Sequence, residues 1–140
     1  MTIPTKMSLP GFIASTPQLT FTGNGVARFY ARIGVEHARK ESDGTFTPAE
    51  PTFHDLVLYR ATAERAYARF RKGDSFVASG YINEYDVERD GKTIAREEFV
   101  ARRIGHDTAR TRYDVDRSPT RQPGPAEGQT LSQPAQAVGL

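Results

Sequence analysis

Apolar and polar residues alternate in short segments that are separated by turn signals, which is the pattern of half-buried β-strands. The clearest segment follows the Asn24-Gly25 turn signal and runs over residues 26–40. Residues two apart share a face of a strand, so each face can be followed separately. Apolar Phe29, Ala31, Ile33 and Val35 alternate with Arg28, Tyr30 and Arg32. The pattern predicts a long strand with one face in the core and an arginine and tyrosine face outside.

The same reasoning assigns the other elements. Strands are predicted at 11–13, 19–21, 53–59, 76–85 and 93–104. Turn signals at Asp43-Gly44 and Asp90-Gly91 divide them, and residues 41–51 are predicted to be a mobile loop. Between 53–59 and 76–85 the spacing of Ala63, Ala66, Tyr67 and Phe70 predicts a short helix, with Thr62 as its N-cap. This order of short strands, with one helix before the last two, indicates an all-β barrel with the helix over one end.

The outward face of the strand at 53–59 carries the most informative chemistry. Phe53, Asp55 and Tyr59 are predicted on one face, while Leu56 and Leu58 supply the core from the other. Exposed rings in an arginine-containing chain are suited to stack nucleobases, each stack being worth about 1–3 kcal/mol. The alternative is that these rings belong to a second packed sheet face.

Length and composition predict one compact domain and a tail. The chain has 140 residues, of which 37% are hydrophobic, enough for a single core. We predict an N-terminal arm at 1–8, the barrel domain at 9–107 and a disordered tail at 108–140. The tail is rich in Pro, Gln and Gly and has no apolar periodicity, so it cannot bury enough surface to offset chain entropy.

The charge of the chain and its few metal-binding residue types say less about function than the strand faces do. The net charge is +2, but most of the 19 basic residues are arginine, which holds phosphate bidentately and stacks on bases. GC-rich coding DNA would also raise the arginine content. The chain has no cysteine and its three histidines lack metal-ligand spacing, so neither a metal nor a cofactor is expected. Without an apolar run or a secretion signal, a cytoplasmic protein without membrane association is predicted.

Specific motifs resemble a known family. The first is an ordered set at the start: Gly11, Ile13, Pro17, Leu19, Phe21, Thr22, Asn24 and Gly25. The second lies in the central strand and helix: Phe53, His54, Tyr59, Lys72 and Gly73. Both sets resemble the bacterial single-stranded DNA-binding proteins, over roughly residues 9–107. This resemblance implies an OB-fold, a five-stranded Greek-key barrel, and a non-enzymatic homotetramer, or a dimer, that coats single-stranded DNA on the nucleoid in replication, recombination or repair.

The resemblance also implies roles for individual residues. Phe53 and Tyr59 stand where the family has base-stacking rings, and Lys72 matches a basic residue at the end of the helix. His54 matches a histidine near subunit contacts, so an interface role is expected for it. Together with the arginine and tyrosine face, the predicted DNA-binding residues are Arg28, Tyr30, Arg32, Arg39, Lys40, Phe53, Tyr59, Lys72 and Tyr85.

Departures from the family pattern modify these expectations. The chain has no tryptophan, and Val87 stands at the place of another stacking ring, with Tyr85 as the nearest substitute. Asp55 and Asp86 stand where a basic residue is usual, so a lower affinity per nucleotide is expected. No acidic residue follows Glu127, so recruitment of replication proteins through an acidic tip is doubtful. These departures point toward a specialised paralogue from a plasmid or another mobile element.

Two further readings compete with DNA coating. One is an OB-fold structural or interaction subunit of a replication, recombination or conjugation complex with weak DNA affinity, which Asp55 and Asp86 favour. The other is an enzyme that uses His54 and Asp55 as a catalytic pair. Adjacent strand residues point to opposite faces, so such a pair cannot readily form and no enzymatic activity is expected.

Overall fold

The fold is that of a computed structural model, which describes residues 1–119. Its elements are β1 Met7–Ile13, β2 Gln18–Phe21, β3 Ala27–Lys40, β4 Phe46–Tyr59, α1 Arg60–Arg69, β5 Ser75–Arg89, β6 Lys92–His106 and a 3-10 helix at Thr108–Arg110. The predicted disordered tail lies mostly at residues 120–140, outside the described residues. No helix within residues 1–119 has the length and apolarity needed to cross a membrane.

The six strands form a closed five-stranded barrel. The sheet order is β1-β5-β6-β4-β3-β2, and β1 also pairs with β3, which closes the sheet on itself. β1 and β2 both pair with β3, at Ile13↔Ile33 and Gln18↔Tyr30, so they occupy one barrel position that is interrupted around Pro17. β4 and β6 are parallel, and the other neighbours are antiparallel. The predicted all-β OB-fold with one helix is confirmed.

The core lies inside the barrel and beneath the helix. Fully buried side chains come from β1, β3, β4 and β5: Ile13, Phe29, Ile33, Leu56, Leu58 and Phe76. α1 closes one end with Ala63, Ala66 and Phe70, whereas Tyr67 is exposed. Burying each large apolar side chain stabilises the fold by about 1.5–3 kcal/mol.

The start of α1 differs from the prediction. The helix begins at Arg60, directly after β4, and its N-cap is Tyr59, which makes no side-chain capping hydrogen bond. Thr62 is therefore inside the first turn and is not the cap. Arg60 has a φ of 63°, in the left-handed region, and this residue turns the chain out of the strand. The tight strand-to-helix connection leaves no room for a separate capping residue.

The hairpins are longer than predicted. β3 and β4 remain paired as far as Lys40↔Phe46, so residues 46–51 are a strand and the prediction of a loop over 41–51 was wrong there. Backbone pairing continues beyond the core, where both faces meet solvent and no apolar alternation is required. The remaining turn is centred on Asp43-Gly44, where the Asp43 carboxylate accepts hydrogen bonds from the Thr45 N–H (3.0 Å) and hydroxyl (2.6 Å).

Candidate nucleic-acid interface

The outer face of β3 and β4 collects five of the predicted DNA-binding residues. Opposite residues share a face of the sheet, and the register pairs Arg28↔Tyr59, Tyr30↔Val57, Arg32↔Asp55 and Gly34↔Phe53. The alternation predicted from the sequence is confirmed, because Phe29, Ile33, Leu56 and Leu58 lie in the core. Val57 shares the outer face but is fully buried.

Phe53 forms the apolar part of this face. Phe53 is 47% exposed, and its ring makes a T-shaped contact with Phe12, with ring centroids 6.4 Å apart. Phe12 lies over Gly34, where any Cβ would collide with its ring. The sequence analysis missed Phe12 as a neighbour of Phe53. Its position in a strand beside Gly11 was the available signal, but the contact with Phe53 depends on the pairing of β1 with β3, which places Phe12 opposite Gly34.

Asp55 ties together two predicted DNA-binding residues. Its Oδ1 accepts hydrogen bonds from the Tyr30 hydroxyl (2.7 Å) and from the Arg32 guanidinium (2.9 Å). Burial, and next the hydrogen bond to Asp55, raise the pKa of Tyr30 above its ordinary value of 10.0. The carboxylate therefore compensates the charge of Arg32 and holds both side chains against the sheet.

A second carboxylate holds Arg28. The Arg28 guanidinium lies 5.8 Å from the centre of the Tyr30 ring and 3.8 Å from Glu98 on β6. The other oxygen of Glu98 accepts a hydrogen bond from the Asn83 amide (3.1 Å). The side chain of Arg28 thus extends across the outer face from β3 toward β6.

The remaining predicted residues are spread over other parts of the barrel. Arg39 and Lys40 lie near the tip of the β3–β4 hairpin, where Arg39 pairs with Glu41 at 3.2 Å. Lys72 is exposed in the turn after α1. Tyr85 lies on the β5–β6 hairpin opposite Arg96 and is partly exposed. These four residues do not belong to the β3–β4 face.

A comparison with known protein families identifies the family of the chain. The model of the single-strand binding protein family matches residues 4–107, which is most of the chain. The chain belongs to the single-strand binding protein family. A comparison with curated protein sequences found no match.

Solved structures support the fold of this family member. The chain is similar to the small single-stranded DNA-binding protein from Streptomyces coelicolor, with 24% identity and a TM-score of 0.64 over 76% of this chain and 97% of that one. It is also similar to the wild-type single-stranded DNA binding protein from Thermus aquaticus, with 21% identity and a TM-score of 0.62. That match covers 74% of this chain and 50% of the Thermus chain, so the family member spans about half of that relative.

Two residues considered in the sequence lie away from the outer face of this family member. His54 pairs with the core residue Ile33, so it lies on the inner side of β4, where its ring contacts the Thr52 hydroxyl at 2.7 Å. Its interface role stays a prediction. Asp86 lies on the face of the β5–β6 hairpin opposite to Tyr85.

Among residues 1–119, no three His, Asp or Glu side chains are grouped to hold a metal ion.

Proposed function

We propose that this member of the single-strand binding protein family binds single-stranded DNA along the outer face of β3 and β4. It coats the strand without sequence preference and without catalysis, in replication, recombination or repair. The observation that carries this proposal is the shared outward face of Phe53, Tyr59 and three arginine or tyrosine residues in a chain of this family. Every base has an aromatic face, so stacking on these rings tolerates any sequence.

The geometry suggests a division of labour on this face. Phe53, half exposed and packed against Phe12, offers one ring for a base, and Tyr59 offers a second ring six residues along the same strand. The charges of Arg28 and Arg32 are each offset by a carboxylate partner, so a phosphate has to compete with that partner for them. Binding through the sheet face therefore depends more on stacking than on charge.

These ion pairs also favour the second candidate function. An OB-fold interaction subunit with weak DNA affinity would keep Asp55 and Glu98 paired with arginine, because the pairs leave little net positive charge on the face.

The oligomeric state belongs to the same proposal. We expect a homotetramer, or a dimer, with His54 near a subunit contact and with DNA of the nucleoid as the ligand.

Titration of fluorescently labelled oligo-dT, followed by anisotropy at low and high salt, tests the proposal. The parent protein is expected to bind, and Phe53→Ala to weaken binding by about 1–3 kcal/mol. Tyr67→Ala is the matched control, because Tyr67 on α1 is 48% exposed, as Phe53 is at 47%, but lies outside the proposed surface. Absence of binding by the folded parent at low salt would refute DNA coating and favour the interaction subunit.

A further inference from the structure

A β-bulge in β6 places two successive arginines on the outside of the barrel. The register pairs Gly80 with Ala101 but Ser79 with Arg103, which leaves Arg102 as an extra residue. Bulges of this kind re-aim side chains. Ala101 is buried and Ile104 packs against the core, while Arg102 and Arg103 between them are both exposed. A regular strand would have turned one of these arginines inward.

Glycine makes the bulge possible. A Cβ at Gly80 would collide with the main-chain oxygen of Val100 on the neighbouring strand. The two backbones therefore approach each other at this point more closely than a side chain allows. The outward position of the two arginines is built into the backbone rather than into a flexible loop.

Helix α1 brings two more arginines to the same place. Arg65 and Arg69 are four residues apart and so lie on one side of the helix. They line a groove of about 410 Å³ together with Arg102 and Arg103. We name these four residues the α1–β6 arginine patch. A neighbouring groove of about 600 Å³ continues past Arg102 and Arg103 to Lys6 and Tyr81.

The patch differs from the sheet face in its charge balance. Within residues 1–119, none of its four arginines forms an ion pair, whereas Arg28 and Arg32 on the sheet are both paired with carboxylates. Clustered like charges repel one another and raise the local concentration of anions. Guanidinium groups present a planar fork that matches phosphate oxygens. The patch is therefore suited to bind a polyanion.

The patch is also continuous with the proposed DNA-binding face. Val57 pairs with Val100 on β6, and Val100 pairs with Tyr81 on β5, so the outer face that carries Tyr59 on β4 continues across β6 to Tyr81. The Arg102 guanidinium lies 5.3 Å from the centre of the Tyr81 ring, and Tyr81 is 43% exposed. The outer face therefore connects Tyr59 with Arg102 by way of Val57, Val100 and Tyr81.

We propose that the α1–β6 arginine patch is a second phosphate-binding surface, which takes the backbone of single-stranded DNA from Tyr59 across β6 to α1. This inference rests on the proposed function. It assigns the main ionic contacts to residues outside the face that the sequence pattern indicated. An acidic protein partner is the competing occupant, and the experiment below separates the two.

The test compares two charge-removing double variants, R102Q/R103Q and R65Q/R69Q, with the control R112Q/R117Q. The control removes the same charge from exposed residues after the barrel. Each patch variant is expected to weaken oligo-dT binding and to make the slope of log K against log salt shallower by about 1.4, or about 0.7 for each lost phosphate contact. R102K/R103K keeps the charge and is expected to keep the parental slope.

The possible outcomes are distinct. If the parent binds oligo-dT and the patch variants match R112Q/R117Q in affinity and slope, the patch does not contact DNA and the inference is overturned, while the proposed function stands. If the parent does not bind at all, the proposed function itself fails. Light scattering completes the test: a patch variant whose molar mass changes together with its affinity would identify the patch as a subunit contact, which also overturns the inference.

Discussion

Replacing Asp55 should change the DNA affinity and the stability of the fold in opposite directions. Its carboxylate pairs with Arg32 at 2.9 Å and accepts the Tyr30 hydroxyl at 2.7 Å, in the middle of the proposed binding face. Asp55→Asn removes one negative charge with little change in shape. The guanidinium of Arg32 is then available to a phosphate, and the repulsion between Asp55 and the DNA backbone disappears.

The magnitudes follow from the geometry. Two unit charges about 5 Å apart in water interact by about 1 kcal/mol, which sets the gain in affinity at low salt. One new phosphate contact steepens the slope of log K against log salt by about 0.7. The ion pair is half exposed, with 47% of the Arg32 side chain accessible, so its loss costs about 0.2–1 kcal/mol of stability. The asparagine oxygen still accepts the Tyr30 hydroxyl.

Anisotropy with labelled oligo-dT over a range of salt concentrations measures the affinity, and thermal unfolding followed by circular dichroism measures the stability. We expect tighter binding together with a fall in the melting temperature of a few degrees, since about 1 kcal/mol shifts it by about 4–8 °C in a domain of this size. Asp114→Asn changes the net charge equally, outside the barrel. A folded D55N protein with unchanged or weaker binding would mean that Asp55 orients Arg32 for DNA instead of restraining it.

Three further predictions concern single residues. Tyr30 has a raised pKa in the folded state, so its contribution to the free energy of unfolding should be fully present below pH 10 and should be lost as the pH rises through the folded pKa. Denaturant titrations over this pH range should show a smaller fall in stability for Tyr30→Phe than for the parent. Arg60→Gly should stabilise the fold by about 0.5–1 kcal/mol, because glycine adopts the positive φ without strain, and Arg60→Ala should not stabilise it. Equal changes in the free energy of unfolding of the two variants, measured in urea, would show that the backbone at Arg60 is not strained. Gly80→Ala should cost about 1–3 kcal/mol through the backbone collision, whereas Gly23→Ala, with open space around it, should cost much less.

Local signals were sufficient for the barrel strands that enclose the core. The alternation after Asn24-Gly25 marks the inner face of β3, because each apolar residue there has to be buried to form a core. The turns were equally readable, since Gly25, Gly44 and Gly91 all have the positive φ that such turns demand. The ends of the hairpins were not readable. Residues 46–49 pair with β3 while both of their faces meet solvent, so no apolar alternation in the sequence indicates the pairing.

The charge arrangement was the part of the candidate site that sequence reasoning could not supply. The partner of Arg32 is 23 residues away along the chain, and only the register of β3 with β4 brings Asp55 beside it. The arginine patch had a weak signal of its own, because two adjacent arginines at 102 and 103 interrupt the alternation of β6. Such an interruption indicates a bulge only when the partner strand is known to carry a glycine opposite, as Gly80 does here.

Stacking and ionic contacts should therefore separate experimentally in this protein. The rings of Phe53 and Tyr59 lie on a face whose arginines are compensated, while the uncompensated arginines lie past Tyr59 at the bulge and on α1. A ring that stacks on a base displaces no counterions from the DNA. Its loss should therefore lower the affinity by the same factor at every salt concentration. Loss of a patch arginine should instead lower the affinity mainly at low salt, because the contact it removes is the one that salt weakens. A ring variant that flattened the salt dependence would show that the paired arginines of the sheet exchange their carboxylates for phosphates, and the ionic contacts would then belong to the sheet face.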